Sequence, residues 1–255
     1  MLALAYLALL LVLPVGLVLW RTVEHGAGPV WHALTQPNAI HAFRLTVTVA
    51  VVAVVCNTIF GVGLAVLLVR HNFPGKRVLN AVVDLPLAVS PVVVGLALIL
   101  VYGPSGGVGR WLGDHGMRVI FAVPGMVLAT IFVSLPLVVR EVAPVLEEIG
   151  TEQEQAAWTL GASSVQTFRR VTLPAIRWAV AYGVVLTLAR ALGEYGAVAV
   201  VSGRVVGKTQ TATLFVEERF QNFDQSAAYA MAFALAVLAV VVLLALNLLR
   251  PSEET

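Results

Sequence analysis

The sequence predicts an all-α integral membrane protein, and composition and hydropathy are the basis of that prediction. Of the 255 residues, 59% are hydrophobic and 12% are charged, about half of the roughly 25% charged residues found in soluble domains. The mean hydropathy is +0.92. Apolar residues gather into runs of about 20, the length that a helix needs to cross a bilayer. A soluble core cannot bury this much apolar sequence, so we expect one membrane domain over residues 1–255.

Six apolar runs predict six transmembrane helices. Polar or turn-rich stretches separate the runs, which cover residues 2–20, 45–69, 79–102, 119–139, 178–201 and 227–249. Prolines within or near these runs predict kinked or broken helices, since proline lacks the backbone N–H that a helix interior needs. Ordinary kinking and a role in gating both remain open for them. These prolines are Pro14, Pro86, Pro91, Pro124 and Pro136.

The loop at about 147–174 is the most polar long stretch, and its pattern predicts two short helices outside the membrane. Thr151-x-x-Glu154 and Ser163-x-x-Gln166 each have the spacing of a capping box at a helix start. Gly161 lies between them as a helix stop. Pro174 predicts the end of the second helix and suits the first turn of a third. A loop with its own structure is usually functional.

Arg190 and Glu194 are the clearest ionisable residues inside a predicted span. Their four-residue separation places them on one face of a continuous helix, where they can form an ion pair. Such a pair either locks two helices together or lets Arg190 set the potential along an anion path. Both readings stay open. Ala189, Gly193 and Ala197 share this helix at four-residue spacing, which predicts close helix packing.

The third span contains two weaker candidates. Ser90 precedes Pro91, and a helix break at that point would expose backbone groups suited to a solute oxyanion. Asp84 lies near the start of the same span. We expect it to be an interfacial or helix-capping carboxylate.

Catalysis, metal binding and nucleotide binding find no support in the sequence. Gly203 is one residue too close to Gly207-Lys208-Thr209 for a phosphate-binding loop, so we predict no ATP site on this chain. No serine, histidine and carboxylate set falls within a span, and the net charge of +2 gives no argument for nucleic acid. Cys56 is the single cysteine, which excludes an intrachain disulfide. The histidines lack metal-ligand spacing; they are His25, His32, His41, His71 and His115.

The polar segment resembles the coupling loop of bacterial ABC importer permeases. The family pattern is Glu-Ala-Ala, three residues, Gly, nine residues, Ile, one residue and Leu-Pro, and it matches in register here with Gln155 in place of Glu and Val171 in place of Ile. In the family this loop docks into a groove of the cytoplasmic ATPase. The resemblance therefore assigns ATPase coupling to Glu154, Gln155, Ala156, Ala157, Gly161, Val171, Leu173 and Pro174.

The resemblance extends over most of residues 40–235. Residues 84–95, 121–133 and 189–203 look like the third, fourth and fifth spans of sulfate permeases. Gly-Glu-Tyr-Gly at 193–196 is also similar to molybdate permeases. The Val-Ser-Gly ending at residue 203 and the Gly-Lys-Thr-x-Thr that follows favour the CysW type.

The resemblance implies the type I ABC importer permease fold, with six transmembrane helices and a cytoplasmic coupling-helix loop. It implies one permease subunit of a sulfate/thiosulfate importer that works by alternating access in the bacterial cytoplasmic (inner) membrane. The implied partners are a homologous permease subunit in a heterodimer, two ATPase subunits that use ATP and Mg, and a periplasmic or lipid-anchored sulfate-binding protein. This chain is then a transport subunit without enzyme activity or cofactor of its own.

Orientation depends on the resemblance, because charge does not decide it. If residues 140–177 are cytoplasmic, both termini are cytoplasmic, and eight basic residues, Arg250 among them, face seven on the other side. A molybdate or tungstate permease, usually a homodimer, remains the nearest alternative. Two alternatives of other classes are an integral membrane enzyme, which needs a polar catalytic cluster, and a secondary transporter, in which internal inverted repeats are common.

Overall fold

The computed structural model describes residues 6, 8–24 and 26–249, and this part of the chain contains helices and turns but no strand. A π-helical turn over Ala8–Val12 leads into the first α-helix. The helices are α1 (Leu13–Val23), α2 (Ala27–Thr35), α3 (Pro37–Arg70), α4 (Lys76–Ala88), α5 (Pro91–Tyr102), α6 (Gly107–Asp114), α7 (Val123–Ile149), α8 (Glu152–Thr159), α9 (Ser164–Ala175), α10 (Arg177–Leu192), α11 (Gly196–Val201), α12 (Ala212–Gln221) and α13 (Gln225–Leu249).

Among the described residues, three helices are long and apolar enough to cross a membrane alone, namely α3, α7 and α13. Two further pairs are bent, α4 with α5 by 116° and α9 with α10 by 71°, and the number of spans rises to five if each pair is one span. The predicted span 2–20 lies partly outside the described residues, and His25 and Arg250 lie outside them. The number of six therefore stays a prediction.

The expected helix break at Pro91 is confirmed. Helix α4 ends at Ala88, and Ser90 has φ −58° and ψ 134° before α5 begins at Pro91. The cause is local, because a proline ring disfavours the helical conformation for the residue before it, and Ser90 takes the extended alternative. Pro86 and Pro136, by contrast, lie inside α4 and α7.

The predicted fifth span, 178–201, is not one continuous helix. Helix α10 ends at Leu192 and α11 begins at Gly196. The expectation that Arg190 and Glu194 share a continuous helical face is therefore wrong. The expectation that Ala189, Gly193 and Ala197 form a stripe on one helix is wrong for the same reason. A Cβ on Gly193 would meet nothing nearer than its own helix carbonyls at 3.9 Å.

Helices α3 and α7 form the centre of the fold and run in the same direction. Asn57 donates from Nδ2 to the Ile131 carbonyl (3.2 Å) and to Ser134 Oγ (2.9 Å). Arg70 at the end of α3 reaches the Gly150 carbonyl at the end of α7. Such hydrogen bonds between helices fix their register where the surroundings are apolar.

Close approach of the central helices depends on two glycines that face Val138 of α7. A Cβ on Gly61 of α3 would lie 2.8 Å from Val138 Cβ, and one on Gly183 of α10 would lie 3.0 Å from Val138 Cα. The distance at Gly61 is shorter than ordinary contact between carbon atoms, and the distance at Gly183 is at the lower limit of such contact. Small residues at these positions let three helix backbones pack together.

Two hydrophobic clusters lie towards the two ends of α7. The cluster around Met126 joins the first half of α7 to α5 and α11. The cluster around Leu146 and Ile176 joins its second half to the ends of α3 and α9 and the start of α10. The second cluster supports the polar segment that follows α7.

The glycine contacts predict a large difference between two neighbouring alanine substitutions in α3. Gly61→Ala places a methyl against Val138 and should destabilise the protein by about 1–3 kcal/mol through overpacking. A methyl group added at Gly63 has no atom within 4 Å. Gly63→Ala gains the same helix propensity as Gly61→Ala, so the difference in stability between the two variants measures the clash with Val138. Thermal unfolding in detergent measures it. Equal midpoints for the two variants would contradict the packing described here.

Candidate functional site

The turn between α8 and α9 is built as the sequence predicts. Gly161 has φ +86°, and its N–H bonds to the Trp158 carbonyl (2.9 Å) while the Ala162 N–H bonds to the Ala157 carbonyl (3.0 Å). This pair of bonds is a Schellman motif, in which a left-handed glycine closes a helix. The prediction of Gly161 as the stop between two short helices is confirmed.

One of the two predicted capping boxes is confirmed and the other is wrong. The Ser163 side chain accepts the Gln166 N–H (3.4 Å), and Gln166 Oε1 accepts the Ser163 N–H (2.9 Å). Thr151 makes no side-chain cap; instead its Oγ1 accepts a hydrogen bond from Gln155 (3.0 Å). The reason is that Glu154, the expected partner of Thr151, is turned into the protein interior.

Pro174 does not end the second helix. Helix α9 continues through Pro174 to Ala175 and breaks at Ile176, two residues later than expected. A π-helical turn at Phe168–Thr172 precedes the proline, and the Leu173 N–H bonds five residues back to the Phe168 carbonyl. We attribute the continuation to this widened turn, which accommodates a ring that would clash in a regular α-helix.

A buried polar cluster, here called the Arg70 clamp, holds the two short helices against the membrane helices. Arg70 Nε lies 3.0 Å from Glu154 Oε2, and the two side chains are 10% and 8% exposed. The guanidinium also donates to the Leu146 carbonyl (2.8 Å) and the Gly150 carbonyl (2.7 Å) at the end of α7. Thr172 Oγ1 donates to Glu154 Oε1 (2.8 Å). One cation thus connects α3, α7 and α8, and Glu154 extends the connection to α9.

The other side of the segment presents apolar surface. Trp158, Leu160 and Val165 are 50%, 88% and 67% exposed. An open groove of about 820 Å³ lies between α8, α9 and the start of α10. Its lining is mostly apolar, with Ala156, Ala157, Leu160, Val171, Pro174, Ala175 and Trp178, and it also includes Gln153, Arg170 and Arg177. Exposed apolar surface on an otherwise polar segment indicates a contact with another protein or a membrane.

The predicted coupling residues divide between the two sides of the segment. Four of them line the groove: Ala156, Ala157, Val171 and Pro174. Gln155, Gly161 and Leu173 are exposed elsewhere on the segment. Glu154 is buried in the Arg70 clamp and is not available to a partner in this conformation.

The pair of Arg190 and Glu194 bridges the break between α10 and α11. Arg190 Nη1 lies 2.8 Å from Glu194 Oε2, with the arginine side chain 40% exposed and the glutamate 2%. Glu194 Oε1 also accepts the Ala197 N–H (2.9 Å) at the start of α11. The break at Pro91 lies alongside, since a Cβ on Gly196 would be 3.0 Å from Pro91 Cβ. Ser90 is exposed, and its side chain bonds to none of the described residues.

Sequence reasoning missed several polar contacts. They are the contacts of Arg70 and Thr172 with Glu154 and the ion pair of Asp84 with Arg140. Asp84 lies inside α4 and caps no helix, so the capping alternative is wrong, while the interfacial one stays a prediction. Its Oδ1 accepts a hydrogen bond from Arg140 Nε at 2.7 Å. The partners in these contacts come from different helices. A local pattern therefore gives no signal of them.

The fold and the site together define a membrane transport component with a structured segment for a partner. Residues 57–254 match the family described as "Binding-protein-dependent transport system inner membrane component", and the chain belongs to this family. The predicted membrane location and the permease fold are confirmed by this membership and by the apolar helices.

Curated relatives make the family assignment more specific. The chain is 50% identical to the sulfate transport system permease protein CysW of Synechocystis, over 98% of this chain and 90% of that protein. It is 45% identical to CysW of Escherichia coli K12, over 95% and 84%. Identity to CysT of the same bacterium is 37%, over 97% and 90%. The predicted similarity to CysW-type permeases is confirmed.

Solved structures share the fold. A bacterial ABC transporter involved in import of the polysaccharide alginate has a chain with a TM-score of 0.79 and 20% identity, covering 96% of this chain and 91% of that chain. The alginate transporter in complex with its pentasaccharide-bound periplasmic protein gives a TM-score of 0.77 at 19% identity, covering 96% and 90%.

The Arg70 clamp predicts that two charge deletions will be unusually costly. Arg70→Ala leaves a buried Glu154 carboxylate unpaired, and Glu154→Ala leaves the buried guanidinium with carbonyl partners alone. Breaking a buried pair typically costs about 3–5 kcal/mol, with Glu154→Ala at the lower end. Glu152→Ala removes an exposed charge from the same helix and should cost less than about 1 kcal/mol. The variants are compared by their unfolding midpoints and by limited proteolysis within residues 150–175. If Arg70→Ala is as stable as Glu152→Ala, the clamp is refuted.

Proposed function

We propose that this chain is one permease subunit of an ATP-driven importer of sulfate or thiosulfate in the bacterial cytoplasmic membrane. The observation that supports it most directly is the coupling segment, residues 150–175, whose outer side exposes a mostly apolar groove edged by Arg170 and Arg177 while the Arg70 clamp holds its inner side. The sulfate permease relatives, at 45–50% identity for CysW, support the choice of cargo.

The clamp gives the segment the stiffness that mechanical coupling requires. A partner that moves α8 also moves Glu154, which is ion-paired with Arg70 at the end of α3 and accepts a hydrogen bond from Thr172 of α9. Movement of the segment therefore displaces the central helices with it. In alternating access, closure of an ATPase dimer would bring two such segments together and open the permease to the outside, and hydrolysis would reverse the motion.

The proposed complex contains a homologous second permease subunit, two ATPase subunits and a sulfate-binding protein. ATP and Mg are bound by the ATPase chains and not by this one. The groove has Ala156 and Ala157 on its wall, which suits close docking because small side chains let a partner approach the helix backbone. A coupling role also requires residues 140–177 and both termini to be cytoplasmic.

Sulfate uptake by the reconstituted complex tests the proposal, and Gly161→Val tests the role of the segment. Valine is disfavoured at φ +86° by roughly 1 kcal/mol or more, which should displace α8 relative to α9. We expect several-fold slower uptake and loss of the ATPase stimulation by loaded binding protein. Gly113→Val is the matched control, since it has no atom within 4 Å and no left-handed backbone. Uptake of molybdate but not of sulfate by the wild-type complex would refute the cargo assignment.

Cysteine labelling tests the orientation. In a Cys56→Ser background, Gln155→Cys should react with an impermeant maleimide only in inside-out vesicles, and Val205→Cys only in intact spheroplasts. Both native side chains are exposed, so reagent access is not limited by burial. Reaction of position 155 from the outside would invert the proposed topology.

A further inference from the structure

Arg140 of α7 and Asp84 of α4 form an ion pair between two helices. Arg140 lies in α7, nine residues or about 13 Å before its end at Ile149. Its Nε donates to Asp84 Oδ1 (2.7 Å), and its Nη2 pairs with Asp84 Oδ2 and donates to Asn80 Oδ1 (3.1 Å). The carboxylate therefore faces the guanidinium with both oxygens.

This pair is open on one side, unlike the Arg70 clamp. The Arg140 side chain is 38% exposed and that of Asp84 is 42% exposed. Val82 and Leu85 of α4 are also exposed, at 54% and 47%. Arg140 is the first residue after the predicted span 119–139, so the proposed orientation places the pair at the cytoplasmic end of that span. The open side of the pair is there accessible to water or to a solute.

The guanidinium also has unused donors. Arginine has five N–H groups, and among the described residues the Nη1 group of Arg140 donates to none. A tetrahedral oxyanion presents two oxygens to a guanidinium in the same forked arrangement as a carboxylate. An oxyanion that takes the edge of Nε and Nη2 must displace Asp84 from it, while Nη1 is available to the anion in addition.

We propose that Arg140 is a binding residue for the transported oxyanion, and that Asp84 is the internal ligand that occupies it when the path is empty. The inference rests on the proposed function and adds a specific anion contact to it. Competition from Asp84 keeps the affinity low, which suits a transport path because an ion must leave as readily as it enters. Arg190 differs, since its partner Glu194 is 2% exposed and is also fixed to the Ala197 N–H.

Binding of radiolabelled sulfate to the purified permease–ATPase complex, without binding protein, tests this assignment. Nanodiscs of phosphatidylcholine exclude an anionic lipid as the ligand. Asp84→Asn frees the guanidinium and should tighten sulfate binding by about tenfold, whereas Arg140→Gln should weaken it by about tenfold or more. Glu141→Gln is the control, because it removes a neighbouring carboxylate that has no ion-pair partner among the described residues; it should change affinity by less than about twofold.

Opposite shifts for the two variants support the proposal, because a purely structural pair would respond in the same direction when either partner is removed. Equal or same-direction shifts overturn it. If Arg140→Gln does not assemble, Asp84→Asn decides alone, and unchanged or weaker binding refutes the assignment. Sulfate uptake by the wild-type complex distinguishes failure of the proposed function from failure of this inference. Absence of uptake refutes the proposed function. Uptake without opposite shifts in sulfate affinity for the two variants refutes only the role of Arg140.

Discussion

The buried contact between Arg70 and Glu154 is the constraint on which the site depends. A charge pair this deeply buried is stable only when its remaining hydrogen-bonding capacity is also used, and the carbonyls of Leu146 and Gly150 together with the Thr172 hydroxyl use it. Since these partners belong to different helices, none of those helices can shift alone without breaking a buried bond. The polar segment therefore moves with the membrane helices, and its outer groove stays exposed.

Helix breaks at proline and glycine determine where functional groups lie. Pro91 separates α4 from α5, and the gap at 193–195 separates α10 from α11; the two breaks are neighbours through the contact of Pro91 with Gly196. Glycines act differently at Gly61 and Gly183, where the absence of a side chain brings three helices together around Val138. The breaks and the close contacts together determine which helix segments lie next to one another.

The ion pairs differ in exposure, and exposure indicates what each one does. The Arg70 clamp is closed to solvent and joins the coupling segment to the core. The pair of Arg190 and Glu194 is closed on the glutamate side and begins α11, which favours the structural reading of the two that the sequence left open. The pair of Arg140 and Asp84 is half-exposed on both side chains, so a solute can reach its carboxylate as well as its guanidinium.

The sequence by itself determined the membrane class, the family and several features set within a few residues. The Gly161 stop, the Ser163 capping box and the break at Pro91 are local, since their hydrogen bonds and steric contacts join residues at most five apart. Only the tertiary structure decided which charges meet. Asp84 and Arg140 are 56 positions apart, and Glu154 was expected to pair with nearby Thr151. A buried carboxylate gains more from a cation than from a local N–H, so helix packing, which brought Arg70 within reach, overrode the local pattern.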